Sequence, residues 1–261
     1  MPALTQQQVT QFHEKGYVVV DFGLDHEALD RIVATLDPQY DPEFQQDRRR
    51  PARIQDAWKD VSEVRDLAVR TNILDALEEL YGRRPLPFQT LNFPVGTAQG
   101  PHSDTIHFNS IPAGYMAGVW TALQDIDESC GPLVYYPGSH KLPVMSMQDL
   151  GLETGPEHYP EYEKAILDII DREGLEPEYG TIRKGESLIW HSNLLHGGAP
   201  RRDPLSTRHS QVTHYYFRGC RYYTPMLSTP DKTAWRFPEW IPVTGNRSRW
   251  RSVLRRILRR H

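Results

Sequence analysis

A histidine and a carboxylate stand two residues apart in Gln99-Gly100-Pro101-His102-Ser103-Asp104-Thr105, directly after a Gly-Pro turn signal. On an extended segment residues i and i+2 share a face, so His102 and Asp104 are placed to reach one metal ion together. His196 is the candidate third ligand: it follows the apolar strand Ser187-Leu188-Ile189-Trp190 and precedes Gly197-Gly198. Two histidines and a carboxylate on one face of an ion form the facial triad of non-haem Fe(II) oxygenases, and the same set suits catalytic zinc. With eleven histidines in the chain, one His-x-Asp pair alone carries little weight. The turn before the pair and the second histidine after a strand raise it to a candidate site.

Beyond His196 the chain reaches Arg208-His209-Ser210. If residues 197–207 form a loop that returns the chain as a neighbouring antiparallel strand, Arg208 and Ser210 share one face of it. A guanidinium is a planar fork of donors suited to a carboxylate, and a serine hydroxyl adds a further bond. The pair would hold the far carboxylate of a dicarboxylic acid whose other end chelates the metal. Alone, an Arg-x-Ser unit reads equally well as a surface arginine beside a strand serine.

These residues need a scaffold. The chain has 261 residues, net charge −4, 38% hydrophobic residues and a mean hydropathy of −0.61, as expected of one water-soluble globular domain. No apolar run approaches the roughly 20 residues that span a bilayer, and the N-terminus lacks signal-peptide features, so the expected location is cytoplasmic. Cys130 and Cys220 lie far apart, without metal-ligand spacing. Thr5 caps an expected helix through Glu14, closed by Gly16, and Tyr17 to Val20 reads as a buried strand. Asp25 caps a second helix with Leu29, Ile32, Val33 and Leu36 as its stripe. Residues 37–53 read as an exposed loop, and 61–81 as a third helix ended by Gly82. After Arg84 short apolar runs alternate with Gly and Pro: Phe88 to Phe93, Tyr115 to Asp125, Leu133 to Tyr136, Ser187 to His191 and Gln211 to Arg218. Such a series suggests a sandwich or barrel, of which the cupin-like jelly roll is one form. Residues 145–179, with a helix around Tyr162, Ala165, Ile166, Ile169 and Ile170, interrupt it as a lid, a wall or a plain surface excursion.

Several stretches together resemble the phytanoyl-CoA dioxygenase family: Gln99-Gly-Pro-His-Ser-Asp-Thr, Val119-Trp120-Thr121-Ala122-Leu123-Gln124-Asp125, Gly131-Pro132-Leu133 and Pro137-Gly138-Ser139-His140-Lys141. His196 and Arg208 at their spacing, and the opening helix leading into Gly16-Tyr17-Val18-Val19, resemble it too. The likeness extends to about Phe217. It implies a mainly β fold with flanking helices, a double-stranded β-helix (cupin-like jelly roll), with Fe(II), 2-oxoglutarate and O₂ as cofactor and cosubstrates. By that resemblance His102, Asp104 and His196 match the iron ligands, Arg208 the residue on the far carboxylate of 2-oxoglutarate, and Ser210 its companion. Trp120 resembles an aromatic residue near the cosubstrate, and Gln89 occupies a region where relatives place a polar contact. Core packing and a strand-edge amide are the plain readings of those two. His107 stands as a ligand, a substrate contact or neither, and His140 as a site neighbour or a residue of a turn.

The expectation is one oxygenase domain over 1–246, with a helical N-terminal region over residues 1–84, a jelly-roll core over 85–220 and the insertion at about 145–179. It would hydroxylate a C–H bond of a small organic substrate, giving succinate and CO₂. Asp104 favours hydroxylation, since related halogenases leave that position vacant for chloride. A non-catalytic cupin-like binding module and a zinc hydrolase are the alternatives. Tyr222, Tyr223, Trp235, Phe237 and Trp240 are candidates for a substrate wall. From Arg247 to Arg260 there are seven arginines and no acid, so the body is strongly acidic. That balance argues against nucleic acid as a partner. The segment 247–261 reads as a basic amphipathic helix for self-association or for contact with an anionic surface.

Overall fold

The computed structural model describes residues 3–243. Helix α1 (Gln6–Lys15) starts at Thr5, whose hydroxyl accepts from the Gln8 amide while Gln8 reaches back to the Thr5 N–H. It ends on left-handed Gly16, which turns the chain into strand β1 (Tyr17–Asp21). Asp25 caps α2 (His26–Leu36), whose Leu29, Ile32 and Leu36 are buried. Residues 37–53, expected as exposed loop, instead contain the short helix α3 (Pro42–Gln46) and bury Tyr40 and Phe44. Two aromatics four residues apart outweighed the charged residues around them. Strand β2 (Ile54–Gln55) follows.

The expected helix over 61–81 is two helices, α4 (Ser62–Ala68) and α5 (Thr71–Tyr81), broken at an extended Arg70. Asn72 marks the break. Its side chain accepts from the Ile73 amide and donates to the Phe22 carbonyl, a local bonding pattern that competes with helix continuation.

The remaining elements are β3 (Pro85–Phe93), β4 (Asn109–Ile111), β5 (Met116–Ala122), β6 (Leu133–Tyr135), α6 (Tyr159–Glu173), β7 (Glu178–Tyr179), β8 (Glu186–His191), β9 (His196–Gly198), β10 (Ser210–Phe217), β11 (Arg221–Tyr223) and β12 (Trp235–Arg236). A six-stranded sheet has the order β1-β8-β5-β10-β3-β2, and two three-stranded sheets are β7-β6-β9 and β12-β11-β4. The strands in them pair antiparallel. This is the jelly-roll architecture expected from the sequence, with two additions from the helical N-terminal region: β1 pairs with β8 at one edge of the large sheet and β2 with β3 at the other.

The alternation of side chains across the large sheet sorts its two faces. Val18, Val20, Ala117, Val119, Ile189, Tyr215 and Phe217 pack against α1, α2, α4 and α5 in the main core. Tyr17, Trp120, Ala122, Leu188, Trp190 and Val212 face the other way, onto Tyr135 and Leu133 of the small sheet. The functional cavity opens on that second face. In the insertion, α6 buries Tyr162, Ile166, Ile169 and Ile170 against Ile106 and Leu195. Tyr162 Oη also accepts from the Ser103 amide.

Candidate metal centre

His102 and His196 face each other as an antiparallel pair that exchanges both backbone hydrogen bonds, 2.8 and 2.9 Å long. Directly opposed residues of such a pair project to the same side. The pairing requires close approach of the two segments: a Cβ on Gly197 would stand 2.7 Å from the Gln99 carbonyl oxygen. Asp104 is not on the extended segment its spacing suggested. It opens a 3-10 turn (Asp104–Ile106) capped by the Ser103 hydroxyl, and the turn swings its carboxylate back toward both histidines.

The ligand atoms of His102, Asp104 and His196 lie within 4.8 Å of one another, and all three residues are buried. His102 Nδ1 bonds the Gly100 carbonyl at 3.0 Å and His196 Nδ1 that of Leu194 at 2.9 Å. A carbonyl only accepts, so both Nδ1 atoms carry the proton and both Nε2 lone pairs are free. Each Nε2 lies 3.9 Å from Asp104 Oδ1. The donor set therefore fits a divalent ion, with the outward nitrogens already bonded as metal-ligating histidines require. Burial, then the neighbouring His196, pushes His102 down to about 3, which keeps it neutral. Burial opposes ionisation of Asp104, but His196, His214 and His102 and the Trp190 N–H outweigh it and hold the carboxyl below its usual range.

Two neighbours of Asp104 were not foreseen. Trp190 donates its indole N–H to Asp104 Oδ2 at 2.7 Å, and His214 Nε2 lies 3.9 Å from the same oxygen. The carboxylate thus has a metal-facing oxygen and an anchored one. His214 is held in turn by Gln89, whose Oε1 meets its Nδ1 at 2.9 Å. The signal for His214 was its period-2 position on β10 with Ser210 and Val212.

A cavity of about 240 Å³ runs from this centre along the inner face of the sheet, lined by Gln89, Trp120 and Arg208 among others. Arg208 is 2% exposed, and burial pushes its guanidinium down only to about 10, so it stays charged at neutral pH. Its Nη1 donates to the Gly131 carbonyl at 2.9 Å, while its Nε is buried without a partner among the described residues. Trp120 Nε1 and Ser210 Oγ are likewise buried without a partner among the described residues, and the Arg208 guanidinium carbon lies 5.6 Å from the centroid of the Trp120 ring. Each such orphan costs roughly 1–3 kcal/mol unless a ligand satisfies it. An anionic acceptor bound beside Arg208 would do so.

The other candidates divide. His107 lines the cavity and packs on Tyr159 of α6, outside the ligand cluster. His140 belongs to the turn and bonds the His13 carbonyl away from the cavity. Tyr222, Trp235, Phe237 and Trp240 line a separate groove rather than the metal cavity. They follow β10: Tyr222 lies on β11 and Trp235 on β12 of the sheet with β4, and Phe237 and Trp240 come after that sheet. The segment 247–261 lies outside the described residues.

The phytanoyl-CoA dioxygenase (PhyH) family model matches residues 12–209, three quarters of the chain. The chain belongs to that family. Rat peroxisomal phytanoyl-CoA dioxygenase is 29% identical over 138 residues, covering 51% of this chain and 38% of that enzyme. The chain therefore spans well under half the length of that relative. Among solved structures, the non-heme alpha ketoglutarate dependent carbocyclase SnoK from nogalamycin biosynthesis superposes with TM-score 0.68 at 18% identity, covering 85% of this chain and 88% of that one. EctD from S. alaskensis, with 2-oxoglutarate and 5-hydroxyectoine, gives 0.65 at 18% identity, with 91% and 85% covered. At such identity these two establish the jelly-roll fold that the PhyH family member shares. No helix among the described residues is long and apolar enough to cross a membrane.

Proposed function

We propose that the chain is an Fe(II)- and 2-oxoglutarate-dependent oxygenase that hydroxylates a C–H bond of a small organic substrate. One observation carries this reading: a buried two-histidine, one-carboxylate cluster shares a cavity with a buried arginine whose Nε has no partner among the described residues. A zinc hydrolase does not account for that arginine, and a silent binding module has no need of all three ligands.

His102, Asp104 and His196 would hold the metal on one face, leaving the cavity side open to cosubstrate and oxygen. Bound there, ferrous iron supplies the redox chemistry that divides O₂ between succinate and the substrate, with CO₂ released. Arg208 fixes the far carboxylate of 2-oxoglutarate, Ser210 and Trp120 adding donors, so the keto-acid end is presented to the metal in one orientation. Trp190 and His214 hold Asp104 in place, and the surrounding apolar side chains of the sheet exclude bulk water. The family membership and the fold shared with EctD, solved with 2-oxoglutarate and 5-hydroxyectoine, support the same reading.

The test is succinate formation from 2-oxoglutarate and O₂ across a substrate panel. Turnover with Fe(II), lost when Zn(II) replaces it, supports the assignment. Absence of turnover with every substrate, including slow uncoupled decarboxylation, overturns it.

A further inference from the structure

Four arginines lie close together before β2, and three have acid partners: Arg48 with Asp37, Arg49 with Asp47 and Arg50 with Glu43. Arg53 has no ion-pair or hydrogen-bond partner among the described residues. It lines the cavity, at the exposed side, and so does Gln55 two residues on, as the alternation of an extended segment requires. β2 is the edge strand of the large sheet, with Gln55 opposite Leu91 of β3. Arg53 and Gln55 therefore extend the wall that Gln89, Leu91 and Phe93 begin.

The charges in that space do not balance. Asp104 is the only acid among the described residues that line it. A ferrous ion and Arg208 together offset Asp104 and a 2-oxoglutarate dianion, which leaves Arg53 uncompensated.

We propose that the open end of the cavity is an anion-binding subsite, in which Arg53 with Gln55 receives a carboxylate or phosphate group carried by the substrate. This rests on the oxygenase reading of the cavity and narrows it: the substrate is an organic anion, held by its charged group at the mouth with its reacting carbon toward the metal. Arg53 is thus a specificity determinant and not a catalytic residue.

The test needs no substrate and no turnover. Mn(II) is loaded in place of iron, 2-oxoglutarate is added to saturation, and paramagnetic relaxation of small probes is followed by NMR. The probes are acetate, its neutral isostere acetamide, and inorganic phosphate. The site should relax acetate or phosphate about tenfold more than acetamide, the ratio of one charge-assisted hydrogen bond, and the larger response names the group. Arg53→Ala should remove the difference and Arg53→Lys should keep a fraction of it. Equal relaxation of acetate and acetamide, or a preference that survives Arg53→Ala, overturns the subsite while leaving the oxygenase reading intact. Failure of Mn(II) or 2-oxoglutarate to bind overturns that reading and the subsite with it.

Discussion

Trp190 donates its indole N–H to the carboxylate of Asp104, 2.7 Å away, although 86 residues separate them in the chain. The bond spans the strand that ends before His196 and the turn that follows His102. It holds Oδ2, so that Oδ1 is the oxygen left facing His102 and His196. Trp190→Phe keeps an aromatic ring and removes the donor. Metal affinity should fall about 10- to 100-fold, as for other partners of metal ligands, with the fold retained. Titration with Mn(II) followed by EPR checks this; unchanged affinity would show the bond to be incidental.

The indole reaches Asp104 only because Gly118 lies opposite it. Gly118 pairs with Trp190 across β5 and β8, and a Cβ there would come within 2.1 Å of the ring. Gly118→Ala should destabilise the fold by about 1–3 kcal/mol through overpacking and weaken metal binding as the ring is displaced. In the Gly118→Ala, Trp190→Leu double variant the two costs should be less than additive, since the smaller side chain frees the space. Strict additivity in urea unfolding would contradict the packing account.

Removal of Arg208 should separate cosubstrate binding from metal binding. Arg208→Gln should weaken 2-oxoglutarate binding about 10- to 150-fold, the range of a charge-assisted bond of roughly 1.5–3 kcal/mol, and leave Mn(II) affinity unchanged. Calorimetric titration of the metal-loaded protein distinguishes this from a general loss of fold.

His191 predicts a pH dependence of stability away from the site. Its ring stacks on Tyr81 and its Nδ1 accepts from the Asn193 amide. Burial, then the charge of His140, pushes it down to about 4 from a usual 6.5. Below pH 6.5 the unfolded chain takes up a proton that the folded ring refuses, so this contribution is intact above 6.5 and is lost as pH falls toward 4. The cost approaches about 1.4 kcal/mol per pH unit. His191→Phe should flatten the loss over that window in the metal-loaded protein; an unaltered slope would assign it elsewhere.

Much of this was legible in the sequence because local signals carried it. Thr5, Gly16 and Asp25 mark helix ends by chemistry that needs no tertiary context, and the strands of the large sheet follow apolar runs. The metal cluster was legible as two histidines and an acid, but the way they meet was not: Asp104 converges through a 3-10 turn rather than a strand face. Trp190 was invisible as a site residue because only the cross-strand pairing brings it to Asp104, and His214 carried no more than its period-2 position on β10. Arg53 was hidden in a charged stretch whose other arginines pair on the surface, and only the pairing of β2, which follows it, with β3 places it at the cavity mouth.

The most direct test of the central claim is the visible absorption of the protein with Fe(II) and 2-oxoglutarate under anaerobic conditions. His102, Asp104 and His196 beside Arg208 should give the weak band of a keto-acid chelate. It should be absent from Asp104→Ala and His196→Ala, and should need more 2-oxoglutarate to saturate in Arg208→Gln. No band from the metal-loaded native protein, or a band that survives loss of Asp104 and His196 in turn, would contradict it.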